Sequence, residues 1–227
     1  MTPSHHLPAE LLFDHAAGTL DPALAVLVDG HLALCPQCRV KAQECLAVGG
    51  GLLDAIEPVA MSEGAFDRLM ARIDNGDVTW FDTPKPAAPS FGEETADALI
   101  DVLPPALRPL GRRSLATQRW RSIAPGVKTL QLDLPTGHQG SAQIIRVDAG
   151  KGVPHHTHQG NEYTLVLSGA FNDHSGRFAR GDLQITDASV KHKPIAEPGE
   201  TCMVLAVTDG PLRLTGALGF IQRSLGY

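Results

Sequence analysis

Four cysteines in 227 residues are too few to staple a fold of this length with disulfides, so reduced thiols are the expectation. Charged residues make up 19 %, below the usual ~25 %. No apolar run approaches the ~18 residues of a membrane span, and no membrane association is expected. The opening Met1-Thr2-Pro3-Ser4-His5-His6 has neither the basic region nor the apolar stretch of a secretory signal. Collagen-like, coiled-coil and internal repeats are missing as well. These absences leave a globular chain, expected in the cytoplasm.

Glycine (23) and proline (17) are in excess, well above the ~12 % that the two usually reach together. Many turns, a linker, or both are implied. The length is about one and a half times a ~150-residue domain. The net charge of −6 is uneven. Residues 1–77 carry −7, residues 78–112 carry −2, and residues 113–227 carry +3. Such a split suggests two units with different partners. The acidic half speaks against direct nucleic-acid binding and suits a basic protein partner.

Residues 5–77 read as helical. Leu7-Pro8 opens a first helix that Gly18 ends. Asp21 caps a second, with Pro22 in its first turn. Leu24, Leu27, Val28 and His31 then fall on one face at helical spacing. Pro36 begins a third helix, which Gly49-Gly50-Gly51 is expected to interrupt. Ser62 reads as the cap of a fourth, whose Phe66, Leu69, Met70 and Ile73 mark one apolar stripe. That stripe suits either a groove on a partner or the domain's own core.

Between Val78 and Arg112 the prolines Pro84, Pro86, Pro89, Pro104, Pro105 and Pro109 break the pattern. The stretch reads as a linker, with room for a short helix at Ala96–Val102. From about Arg113 the period becomes two. Strands are predicted at Arg119–Ile123, Lys128–Leu134, Ala142–Val147, Glu162–Ser168, Leu183–Ile185, Cys202–Val207 and Leu212–Leu218. Many short strands separated by Gly and Pro turns indicate a β-sandwich or barrel. The fold class expected is α+β in two domains, residues 1–77 and 113–227, joined by 78–112.

Two groups of residues carry metal chemistry. His31 and Cys35 are four apart, so on a helix they stack on one side. Cys35-Pro36-Gln37-Cys38 turns the backbone so that a second thiolate reaches the same point. Tetrahedral zinc wants four such ligands, and the fourth must come from the first helix, at His5, His6 or His15. Cys45 lies outside the pattern and reads as a small buried apolar residue. This arrangement, followed by an acidic amphipathic helix, resembles the zinc-binding domain of bacterial ECF-type anti-sigma factors. The resemblance covers about residues 4–77 and implies zinc held by His6, His31, Cys35 and Cys38. It also implies a helical domain that wraps around a sigma factor and blocks its contact with core RNA polymerase.

The second group runs Gly150-x5-His156-x-His158-x3-Glu162-x6-Gly169, with a later segment from Gly181 to His192. On a strand, His156 and His158 point to one side. Glu162 opens the next strand and can face the same interior. Three imidazoles and a carboxylate suit Zn, Fe, Mn, Ni or Cu. The pattern is similar to the two cupin motifs, which implies a small antiparallel β-barrel (a double-stranded β-helix). The implied ligands to a divalent metal (Zn, Fe, Mn or Ni) are His156, His158, Glu162 and His192. The second motif lacks the usual Pro-x-Gly turn; Ala188-Ser189-Val190 stands there instead. His138, His155 and His174 are read as non-ligands, and Cys202 as a buried core thiol.

The order of helical zinc domain, linker and cupin resembles the ChrR-type anti-sigma factors over nearly the whole chain. That resemblance implies a regulator without catalytic residues that binds one ECF-type sigma factor. It releases the sigma factor when singlet oxygen or an organic peroxide acts on the cupin. The alternative is a dioxygenase-like cupin metalloenzyme with a helical accessory domain.

Overall fold

Proline and aspartate set where the first helices begin. In a computed structural model that describes residues 2–76, 93–134, 141–158, 160–208 and 212–214, α1 spans Ala9–Ala17 and ends on Gly18 at φ 70°. α2 spans Pro22–Leu34, with the Asp21 carboxylate accepting the Ala23 N–H. α3 runs Pro36–Asp54 without a break, so the three glycines do not interrupt it as expected. Each glycine weakens a helix by about 1 kcal/mol relative to alanine without clashing, and the preceding 13 residues carry the helix through. α4 spans Ala65–Asp74 behind Gly64, so Ser62 is not its cap. Ser62 instead accepts the Ala65 N–H on its carbonyl.

Residues 77–92 lie outside the described residues, but the rest of the expected linker is helical. α5 spans Glu93–Val102, a 3-10 turn spans Pro105–Leu107, and α6 spans Arg108–Thr117. Pro105 and Pro109 sit in first turns, where a missing N–H costs nothing. Leu99, Ile100, Leu103 and Leu107 are buried, so this segment packs one face into the core.

Eleven strands follow: β1 Arg121–Ala124, β2 Val127–Gln131, β3 Ser141–Val147, β4 His156–His158, β5 Glu162–Ser168, β6 Ala170–Asp173, β7 Gly176–Ala179, β8 Leu183–Thr186, β9 Ile195–Ala196, β10 Cys202–Thr208 and β11 Leu212–Leu214. An antiparallel sheet of order β1-β2-β3-β10-β5-β8 faces two smaller sheets, β7-β6-β9 and β11-β4. This agrees with the expected α+β class and antiparallel barrel. The predicted strand after Leu214 lies outside the described residues.

Alternation along β10 divides two cores. Cys202, Val204 and Ala206 join Ile145, Val166, Phe171 and Phe178 inside the barrel. Met203, Leu205 and Val207 join Leu27, Leu103, Leu107, Ile144 and Leu165 beneath the helices. α2 lies directly on this outer face. At Gly30 an added methyl would stand 3.0 Å from Leu165 and 3.1 Å from Leu107, so glycine permits the close crossing. Among the described residues no single helix is long and apolar enough to cross a membrane. α1 and α2 pass that test together but are bent by 112°.

Candidate metal centres

The local chain geometry brings His6, His31, Cys35 and Cys38 together. His31 stands in the last turn of α2. Cys35 ends α2 and caps α3 with extended backbone, and its sulfur accepts the Cys38 N–H at 3.5 Å. Cys38 follows in the first turn of α3. Nδ1 of His6 lies 3.3 Å from Cys35 Sγ and 3.6 Å from Cys38 Sγ. One ligand atom from each of the four residues lies within 4.8 Å of the others. Tetrahedral zinc with ~2.3 Å sulfur and ~2.0 Å nitrogen bonds sets S···N edges of about 3.5 Å.

The donor set fits such an ion. His31 is fully buried, and neither ring nitrogen has a hydrogen-bond partner among the described residues. A buried imidazole in that state lacks the partner that buried polar groups require. Burial, followed by the proximity of His6, lowers the His31 pKa to about 4, which keeps the ring neutral as a ligand must be. Burial pushes the Cys38 thiol up, so a thiolate there needs a neighbouring cation to offset its desolvation.

The other N-terminal histidines turn elsewhere. His15 Nε2 pairs with Asp29 at 2.8 Å. His5 turns to the barrel, its ring against Phe178 at 4.4 Å between centroids. Cys45 packs, partly buried, against the core.

In the barrel, His156, Glu162 and His192 converge, all buried. His156 starts β4. Glu162 starts β5 and points inward in register with Thr164 and Val166. His192 bridges back to His156 between β8 and β9. The two Nε2 atoms are 3.1 Å apart, and Glu162 Oε2 is 3.3 Å from His192 Nε2 and 3.9 Å from His156 Nε2. His156 Nδ1 lies 2.8 Å from the Pro154 carbonyl, and His192 Nδ1 lies 3.2 Å from Asp173. With Nδ1 committed as donor in each ring, the Nε2 lone pairs face the shared point, as metal-bound histidines require. Burial works against charge on His192, but the Glu162 and Asp173 carboxylates outweigh it and raise its pKa.

His158 is placed on β4, its backbone opposite Leu212; its side chain lies outside the described residues, as does His138. His155 and His174 are exposed and belong to neither cluster. Apolar side chains, among them Ile145, Val147, Val153, Phe171 and Val204, wall the cavity above the cluster. Cys202 also lines it. Burial, then Glu200 and Glu197, push its thiol up to about 12.

Sequence reasoning missed Asp173 and Gln184. The Asp173 carboxylate is wholly buried and takes hydrogen bonds from Gln184 Nε2 (2.7 Å) and from Ser175 N–H (2.8 Å) as well as facing His192. Burial would raise its pKa, but these hydrogen bonds lower it. Neither residue sits in a recognisable spacing. Their only signal is an acidic and an amide side chain on strands that otherwise alternate with apolar residues.

A Cys2His2 cluster gathered by His6 and the meeting ends of α2 and α3, packed on a barrel with a buried His/Glu cluster, has the layout of a zinc-finger-like helical unit joined to a cupin-like barrel. A family model described as a putative zinc-finger matches residues 9–39, and one described as the ChrR cupin-like domain matches residues 113–213. The anti-sigma-E factor ChrR of Cereibacter sphaeroides is 41 % identical over 218 residues, covering 96 % of this chain and 95 % of that protein. The crystal structure of Rhodobacter sphaeroides SigE in complex with the anti-sigma ChrR matches with a TM-score of 0.70 and 39 % identity. It covers 91 % of this chain and 99 % of the matched one. The chain belongs to the ChrR family of anti-sigma factors. The relative is an anti-sigma factor, which favours the regulator over the dioxygenase-like alternative.

Proposed function

We propose that this protein binds an ECF-type sigma factor one-to-one in the cytoplasm, keeps it from core RNA polymerase, and releases it under oxidative stress. The observation that carries the reading is the 41 % identity over nearly the whole chain to an anti-sigma factor. Residues 1–77 form the sigma-binding part, with zinc held by His6, His31, Cys35 and Cys38. Residues 113–227 form the sensor, with a divalent metal held by His156, His158, Glu162 and His192 in the barrel. Residues 78–112 connect the two, and their second half packs beneath the barrel sheet.

Zinc supplies folding free energy to a helical unit whose own core is small. The α4 stripe supports the partner reading over the self-packing one. Phe66, Leu69, Met70 and Ile73 are all exposed, and α4 buries no residue at all. Leu46, Leu52, Leu53 and Ile56 on and just after α3 are exposed too. Exposed apolar area of this extent marks an interaction surface. The buried, apolar-walled barrel cluster supports a sensor that admits a small oxidant to a metal. The signal is singlet oxygen or an organic peroxide.

The test is transcription by core polymerase and the cognate sigma factor with increasing amounts of the zinc-loaded full chain. Repression should be complete near equimolar protein and reversed by peroxide or photogenerated singlet oxygen. Undiminished transcription at excess protein would overturn the reading. Repression that persists under both oxidants would remove the sensor half of it.

A further inference from the structure

The segment that leads into one member of the Cys2His2 cluster, His6, leans on the barrel. The segment ahead of His6 runs along Arg180-Gly181-Asp182, the turn that joins β7 to β8. Pro3 is buried against Gly181, where φ is +89° and an added methyl would stand 2.6 Å from Pro3 Cγ. Asp182 is itself buried. Its Oδ1 accepts the backbone N–H of Ser4 at 2.6 Å, that of His5 at 2.9 Å, and the Ser4 hydroxyl at 3.2 Å. Its Oδ2 accepts the Ala179 N–H at 2.8 Å. The His5 carbonyl accepts the Leu183 N–H at 3.3 Å. The Ala179 contact fixes the turn itself; all the others fix the residues immediately before His6.

The same turn also meets α2, the helix that carries His31: Leu34, at its end, would stand 3.5 Å from a methyl added at Gly181. His6 precedes α1 and lies outside any helix or strand. A ligand on such a segment, if nothing else held it, would have to be ordered by the metal each time it bound, which lowers affinity.

We propose that the β7–β8 turn is the outer wall of the N-terminal metal site, with Asp182 as the positioning residue that holds the His6 segment in place. The helical zinc centre is then not self-contained; the sensor barrel supplies part of its support. This rests on the reading that His6, His31, Cys35 and Cys38 bind zinc.

The experiment uses the full chain, titrated with Co2+ in a Cys202→Ala background so that thiolate-to-cobalt absorption reports Cys35 and Cys38. Asp182→Asn and Ser4→Pro should each raise the free Co2+ needed for half-saturation about 10–100-fold, the range for loss of an outer support. The barrel's circular dichroism should stay unchanged. Asp187→Asn, a barrel carboxylate that caps only its own turn at Ser189, should leave the affinity alone. Ser4→Pro removes both Ser4 donors without touching the barrel turn, so it decides the matter if Asp182→Asn fails to fold. Unchanged affinity in Ser4→Pro would overturn the proposal. Absence of any thiolate–cobalt band in the parent would instead show that the zinc reading itself is wrong.

Discussion

The apolar stripe of α4 makes opposite demands on folding and on binding, and a double substitution separates them. Phe66 is 64 % exposed and Leu69 51 % exposed in the free chain. Fully burying a side chain of this kind is worth about 1.5–3 kcal/mol. Half or more of that is still unrealised at each position, about 1–2 kcal/mol apiece. Phe66→Ala/Leu69→Ala should therefore weaken sigma binding by about 2–4 kcal/mol, or about 30-fold to several hundred-fold in Kd. The free chain should lose little stability, within about 0.5 kcal/mol, because surface truncations away from packed sites are nearly neutral. Calorimetric titration against the sigma factor gives the first quantity, and urea unfolding of the free chain gives the second. Unchanged binding would remove α4 from the interface. A stability loss above about 1 kcal/mol would mean that the stripe packs within the chain in solution.

Three further outcomes are expected. His31→Ala, or treatment with a strong chelator, should reduce helical circular dichroism from residues 1–77, because structural metal binding is folding free energy; an unchanged spectrum would separate the fold from the ion. Asp173→Asn should lower the barrel's metal affinity about 10–100-fold, since the carboxylate holds the His192 ring; equilibrium dialysis with metal analysis, in a background lacking Cys35 and Cys38, reads the barrel alone, and unchanged affinity would refute the role. Arg177 and Asn172 draw the Glu197 pKa down to about 2. A depressed carboxylate contributes stability above its ordinary pKa, ~4.3, and loses it as pH falls toward the folded value. The stability gap between wild type and Glu197→Gln should thus be steady at neutral pH and close between about pH 4.5 and 2, as followed by acid unfolding. A gap independent of pH would refute the assignment.

What could be read from the residues had local causes. α1 and α2 were legible because Pro, Asp and Gly mark their ends chemically. β3, β5 and β10 were legible because Val, Ile and Leu recur on them. The Cys2His2 cluster was legible because three of its members are adjacent on two helices, and only the choice among His5, His6 and His15 needed the fold. Proline density misled over residues 93–112, since a proline opening a helix and one breaking it look alike until the backbone is seen. β4, β6, β7 and β9 are two to four residues long and exist only through their partners. Asp173 and Asp182 act across 19 and 177 or more residues of sequence, a separation that no local pattern encodes.

The strand β10 has no solvent-facing side: all seven of its residues are buried, and the six apolar ones alternate between one core and the other. The chain that reads as two domains therefore shares a wall, and neither core can lose that wall alone. Unfolding of the barrel strips the cover from Leu27 and Leu107, and removal of the helices lays bare Leu165 and Leu205. In folding terms the barrel and the helices packed on it make a single cooperative unit, which should melt in one transition rather than two. A destabilising change anywhere along that strand is then felt at once by the barrel and by the helices packed on it.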